Sequence, residues 1–398
     1  MRNWDVIVVG GGLAGAAVTF ELCCRHGLKV ALLERGNLAS GASGRNGGQV
    51  IQLDGRDRDS QAMLKRLRYS KRTVALLKEY RDVLETDFEF RQVGSLDVAA
   101  SEKECAELRE LCALQREAGD TEVEFLDHRQ LHEVSPYLDD SFPGARYRST
   151  DGNIYPFRLV AGLLDLSRRQ GAAVLTRRNA DRLVIESGRV RGVESAGELL
   201  AADRVVLATS AWTRELVPEL PVIPLRSHAA LSEAIPPIAA PAFEVVVDGE
   251  IIYGSTQFAN GHLLLGGGPD RPRTMSEQYD YTMSFKDTLK NACLLARIYP
   301  RLAGVHIVRC WAGTMGTTPD GLPLVGKSRV AEGLFVIAGF PNGMAFIPYI
   351  AALLAALAAG QTPELDLDIF QPDRFAGLDI RLPETYNYTI LADYLGRL

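Results

Sequence analysis

Near its start the chain carries an apolar run, Val6-Ile-Val-Val9, that stops at three consecutive glycines, Gly10 to Gly12. A run without polar alternation predicts a strand covered on both faces, as in a parallel sheet. Helical spacing follows to about His26, Gly27 supplies a stop, and a second apolar strand covers Lys29 to Leu33, so the chain begins as a βαβ unit. Met63, Leu67, Val74, Leu77 and Leu84 recur at helical spacing, with Lys65, Arg66, Arg68, Lys71 and Arg72 largely off that stripe. This predicts a helix over about 59–84 with a solvated basic face. Another is predicted from Glu102 to Ala118, with Cys105, Leu108, Leu111 and Leu114 inward.

Beyond Gly171 the pattern changes to short strands: Ala173 to Thr176, Arg182 to Glu186, Val190 to Val193 and Arg204 to Thr209, with turns at Ser187-Gly188 and Ala196-Gly197. Six prolines between Pro218 and Pro241 read as a crossing between domains. Strands resume at Glu244 to Val247, Ile251 to Tyr253 and His262 to Leu265, followed by a helix around Tyr279 to Ile298. Val305 to Trp311, Leu334 to Ala338 and an apolar helix, Phe346 to Ala359, complete the series. That last stretch is 14 residues long, where a membrane-spanning helix needs about 20. The expected organisation is α/β. A first, discontinuous domain covers 1–85, 145–220 and 305–375, a second, antiparallel domain covers 86–144 and 221–304, and 376–398 is a C-terminal extension.

Gly10, Gly12 and Gly15 form G-x-G-x-x-G between a strand and a helix, the context in which the motif binds a pyrophosphate. The helix N-terminus adds oriented N–H groups and about half a positive charge. Glu34 ends the second strand 19 residues after Gly15, where a carboxylate accepts ribose hydroxyls. Together these predict one ADP-containing dinucleotide, FAD or NAD. The loop from Arg35 to Val50, rich in small residues, is longer than the usual connection of about 2 to 6 residues and suits a flat ring laid along the backbone.

Composition narrows the partners. In 398 residues, 44 Lys+Arg stand against 50 Asp+Glu, a net charge of −6, which argues against a broad nucleic-acid footprint. Six cysteines show no CxxC pair and read as reduced packing residues of a cytoplasmic protein. The first apolar run follows a single basic residue and ends too early for an export signal. The six histidines are scattered, and no metal site and no Ser/His/Asp arrangement is expected.

Several blocks then resemble one family: Val6 to Glu34, Ala42-Ser-Gly-Arg-Asn-Gly-Gly48, Val205 to Trp212, Trp311-Ala-Gly with Thr318-Pro-Asp-Gly-Leu-Pro-Leu-Val-Gly326, and Leu334 to Phe340 before an apolar helix. They resemble the FAD-dependent amine and amino-acid oxidoreductases of the D-amino-acid-oxidase superfamily. Ser255-Thr-Gln257 and Gly261 to Gly267 are similar to β subunits of heteromeric sarcosine and opine oxidases, and the SGRNGG loop is similar to that of γ-glutamylputrescine oxidases. The resemblance implies a Rossmann-like FAD-binding domain of glutathione-reductase type, an antiparallel substrate domain and non-covalent FAD. It places Gly10, Gly12 and Gly15 at the pyrophosphate, Glu34 at the adenosine ribose with Arg35 beside it, and Ala180 at the adenine. Ser43, Gly44, Arg45, Asn46, Gly47 and Gly48 would line the pyrophosphate and ring, and Gly313, Gly339, Gly343 and Met344 would approach the flavin.

Two departures bear on substrate. Four residues beyond Trp311, where many relatives carry a carboxylate-clamping arginine, stands Met315, so another arginine such as Arg45 would take that task. Ser210 replaces the usual glycine of an Ala-Thr-Gly turn. Tyr253, Gln257, Trp311, Met315, Asn342 and Met344 are the pocket candidates, and no catalytic residue is assigned. The implied reaction is oxidation of a C–N bond in an amino acid, opine or secondary amine, with hydride passing to flavin N5 and the imine hydrolysing in water. The alternatives are a C–OH donor, or a flavin-bearing subunit inactive without a partner. The tail from Pro383, with Tyr386, Tyr388 and Tyr394, either docks on such a partner or packs on its own chain.

Overall fold

The computed structural model describes residues 4–53, 60–238, 241–247, 250–267, 271–378 and 380–395. Strand Val6–Val9 lies inside a six-stranded sheet, flanked in parallel by Val205–Leu207 and Val30–Glu34. Leu334–Ala338 and Ala173–Thr176 extend it in parallel, and Leu324–Lys327 closes one edge antiparallel. Alternate residues of the apolar run feed separate cores: Val6 and Val8 join one cluster, Ile7 and Val9 another. That double burial is why the run shows no alternation.

One face is covered by helices Leu13–Phe20, Ser60–Val83, Pro156–Arg169 and Ile347–Ala358. The other face packs on a three-stranded antiparallel sheet, Arg182–Glu186, Arg189–Ser195 and Glu198–Ala201. The first helix runs into a π-helical turn, Glu21–Arg25, before Gly27 turns the chain with φ 66°. Among the described residues no helix is long and apolar enough to cross a membrane.

The second sheet has eight strands, in the order Ile307–Thr317, Ile223–Ala234, His262–Gly266, Glu250–Gln257, Ala242–Val247, Ser95–Ala99, Gly144–Arg148 and Val123–Asp127. Helix Phe285–Ile298 and the short helix His128–Val134 pack against one face through Leu295, Ile298 and Leu131. The opposite face presents Leu225, Ser227, Glu244 and Met315 to a cavity.

Three expectations change here. The proline-rich stretch expected to be a crossing contains a 12-residue strand, Ile223–Ala234. Its prolines are tolerated because Pro224 is second in the strand and Pro236 and Pro237 follow its end. The strand expected at Val305 to Trp311 is Ile307–Thr317, and it is an edge of the eight-stranded sheet, where it pairs with Ile223–Ser232. Residues 307–317, like Gly144–Arg148, thus belong to the second sheet and not to the nucleotide sheet at the borders drawn above. Finally, the tail folds onto its own chain. Tyr386 is fully buried, exchanges backbone hydrogen bonds of 2.9 Å with Arg273, and clusters with Ile223, Leu225 and Leu391.

Candidate active site

The C-terminal ends of the parallel strands open into a cavity of about 820 Å³. Gly10 turns away from its strand with φ 112°, and a Cβ there would collide with the carbonyl oxygen of Ala208. A Cβ at Gly15 would strike the Gly10 carbonyl, so this glycine lets the helix sit on the turn and does not itself line the cavity. Gly12 lines it, with Ser43 Oγ behind accepting from Leu13 N–H at 2.8 Å. The hydroxyl thereby satisfies a first-turn donor of helix Leu13–Phe20.

Glu34 lines the same end. Its carboxylate accepts from Gly11 N–H and Gly36 N–H, both at 2.7 Å, which fixes its orientation beside the glycine turn. Arg35 lies over the Trp212 ring at 4.7 Å and pairs with Glu215 at 3.1 Å. Ala180 is also on the lining. Ser210 adopts φ 48°, a left-handed conformation that glycine enters more readily. Glycine turn, helix N-terminus and oriented carboxylate together fit the ADP half of a dinucleotide.

Loop residues 42–48 are braced from within. Asn46 Nδ2 donates to the carbonyls of Ala42 and Ser43 at 2.8 and 2.9 Å, and its Oδ1 accepts from Gly48 N–H at 2.7 Å. Ser43, Arg45, Asn46 and Gly47 line the cavity, whereas Gly44 and Gly48 sit behind it. A Cβ at Gly44 would meet Ala39 and Phe157, and one at Gly48 would meet the Ile154 carbonyl.

Trp311 and Gly313 do not line the cavity either; they build a seat for Arg45. Trp311 Nε1 donates to the Arg45 carbonyl at 3.0 Å, and Arg45 donates through NH1 to the Ala312 carbonyl at 2.8 Å. A Cβ at Gly313 would lie 2.9 Å from Arg45 Cβ and Cδ. Arg45 Nε donates to the Ser40 carbonyl at 2.9 Å, and the guanidinium lies 4.2 Å from the Tyr281 ring centroid. The seat holds the cation at the cavity wall with donors still available.

Met315, Asn342 and Met344 are on the lining with Gly339 and Gly343, and Asn342 Nδ2 donates to the Ile51 carbonyl at 2.8 Å. Gln257 is not: it is buried, accepting from Ile238 N–H and donating to the carbonyls of Pro236 and Gly261. A long amide at that point satisfies a turn, which spacing alone does not reveal. The side chain of Tyr253 lies outside the described residues. Sequence reasoning missed Leu225, Ser227, Glu244, Tyr281, Tyr388 and Thr389 as lining residues. For Leu225 and Ser227 the signal was alternation along 223–234, hidden by the prolines.

No histidine among the described residues lines the cavity. His128, His132 and Asp140 bring their ligand atoms within 4.8 Å of one another, but none of the three is part of the site. A family model described as FAD dependent oxidoreductase, DAO, matches residues 5–357. The chain belongs to the DAO family of FAD-dependent oxidoreductases.

Within this family the chain is 28% identical over 383 residues to the glycine oxidase of Geobacillus kaustophilus, covering 94% of this chain and 98% of that protein. It is 27% identical to the sarcosine oxidase subunit beta of an Arthrobacter species, covering 86% of this chain and 83% of that one. The crystal structure of the Geobacillus kaustophilus glycine oxidase superposes with a TM-score of 0.84 at 26% identity, over 95% of this chain and all of that one. L-proline dehydrogenase from P. horikoshii shares the fold, with a TM-score of 0.82 at 23% identity.

FAD is therefore the dinucleotide that the cradle takes, and when bound it supplies a two-electron acceptor. Of the chain's own residues, Glu34 and the glycine turn would hold the adenosine and pyrophosphate, and the Gly339–Gly343 segment lines the cavity on the path to the eight-stranded sheet. Loop, sheet and helix close around the remaining space.

Proposed function

We propose that this chain oxidises the C–N bond of an amino acid or secondary amine that bears a carboxylate. The observation that carries this reading is the continuity of one cavity from the Glu34 cradle, past Gly339 and Gly343, to a chamber walled by Leu225, Ser227, Tyr281 and Met315 with Arg45 at its edge. We assign the substrate carboxylate to Arg45, because Met315 occupies the position where the resemblance implies a clamping arginine and Arg226, also on the lining, has a fully buried side chain that donates to the carbonyls of Asp280 and Thr282 at 2.7 Å and lies 3.8 Å from the Asp287 carboxylate. A neutral amine needs no histidine to react. Orientation over a two-electron acceptor and exclusion of water suffice, and the imine product takes up water to give a carbonyl compound and free amine or ammonia.

Steady-state turnover with an artificial acceptor tests it. Carbonyl product, released nitrogen and reduced acceptor are expected in equal amounts from amine substrates. Turnover of hydroxy acids without nitrogen release would overturn the reading in favour of a C–OH donor. The relatives that are subunits of larger enzymes support a heteromeric setting, and the six free thiols suit a cytoplasmic one.

A further inference from the structure

The match to the family model ends at residue 357, yet Tyr388 and Thr389, more than thirty residues later, line the cavity. Their placement is firmly built. Tyr386 and Arg273 exchange backbone hydrogen bonds at 2.9 Å, and Gln278 Nε2 donates to the Tyr386 carbonyl at 2.8 Å. Gln278 also ties this point to both strands of the chamber wall. Its Oε1 accepts from Arg226 N–H at 2.8 Å, and its carbonyl accepts from Thr314 Oγ1 at 2.7 Å. Asn387 Oδ1 accepts from Ile390 N–H at 2.9 Å, which caps helix Tyr388–Leu395 and sets Tyr388 and Thr389 in its first turn.

On the inner side, Tyr388 and Met315 pack against the cluster of Ile223, Leu225, Tyr386 and Leu391. Leu225 and Met315 are register partners, and both face the cavity. The wall where the resemblance leads one to expect a charged clamp is thus a leucine, a thioether and a tyrosine ring.

We propose that Tyr388 is a specificity-determining residue: with Leu225 and Met315 it forms an apolar subsite that receives the side chain or N-substituent of the amine substrate and favours substrates carrying such a group over the smallest amino acids. The C-terminal segment is then part of the active site. This inference rests on the C–N oxidation reading above.

The test uses the full-length, FAD-loaded protein and a series of amino acids with the same reacting amine and a lengthening apolar side chain. Anaerobic reduction rates give kcat/KM for the unaltered chain, Tyr388→Ala and Tyr388→Phe. The unaltered chain is expected to favour the longer members. Tyr388→Ala should lose about 10- to 100-fold on those members, with the smallest substrate and the FAD affinity within about 2-fold of normal. Tyr388→Phe keeps the ring and should keep the preference. An equal loss across the series, no loss, or a fall in FAD affinity alone would overturn the inference. If hydroxy acids and not amines reduce the flavin, the functional reading fails, and the same comparison along a hydroxy-acid series then decides the role of Tyr388.

Discussion

Arg45 shows how a local sequence pattern can be recognised while its purpose stays hidden. Trp311-Ala-Gly313 was legible as a motif, but only the fold brings an indole N–H, a carbonyl and a missing Cβ to bear on one arginine from 266 positions earlier. Arg45→Gln is expected to raise KM for carboxylate substrates by about 10- to 150-fold, the loss of roughly 1.5 to 3 kcal/mol from a charged hydrogen bond, with FAD affinity kept. A selective loss of FAD affinity, read by apoprotein titration, would move Arg45 to the cofactor. The placement of Glu34 beside the glycine turn, by contrast, was readable, because strand end and turn are close in sequence. Glu34→Ala removes both the acceptor for ribose hydroxyls and the brace to Gly11 and Gly36, so FAD affinity should fall by about 10- to 150-fold. An unchanged titration curve would misplace the ribose. Glu277 is a depressed acid four residues from Arg273, the tail's backbone partner. Hydrogen bonds from Arg271 and from Thr274 hold its carboxyl at about 2, below the ordinary 4.5. A depressed acid stabilises the fold above its unfolded pKa, and that contribution is lost as pH falls from about 4.5 towards 2. Melting temperatures of Glu277→Gln should accordingly depend less on pH across that window than those of the unaltered chain.

Among elements, those buried on both faces were the most legible: Val6–Val9 and Leu334–Ala338 are where apolar runs predict them. Elements punctuated by proline were harder. Ile223–Ala234 was masked by prolines that sit only at its ends, and helix Pro156–Arg169, whose proline opens the first turn, was not anticipated. The tail was read from its tyrosines, but aromatic content cannot separate an interface from a self-contact; the backbone pairing with Arg273 does. Alternation along Ile307–Thr317 has a chemical consequence. Met315 faces the cavity, whereas Cys310 packs against the core under the opposite face of the sheet. No cysteine lines the cavity among the described residues, so acid precipitation of the purified protein should release yellow flavin to the supernatant. Colour held in the pellet would show a covalent link.

At the scale of the whole molecule, two sheets of different character share one cavity. The six-stranded sheet presents strand ends and a glycine turn to one end of it, where the adenosine and pyrophosphate would lie, while the eight-stranded sheet presents a broad face to the other. This division of labour was legible as a nucleotide sheet interrupted by an antiparallel domain. The borders were not, because an edge strand such as Ile307–Thr317 can extend either sheet until its register with Ile223–Ser232 is known. The central claim is that the shared cavity passes two electrons from a C–N bond to FAD. Anaerobic mixing of the FAD-loaded protein with parallel panels of amino acids, secondary amines and hydroxy acids tests it most directly. The account predicts that flavin absorbance bleaches with members of the amine panels and persists with every hydroxy acid; bleaching by hydroxy acids alone would contradict it.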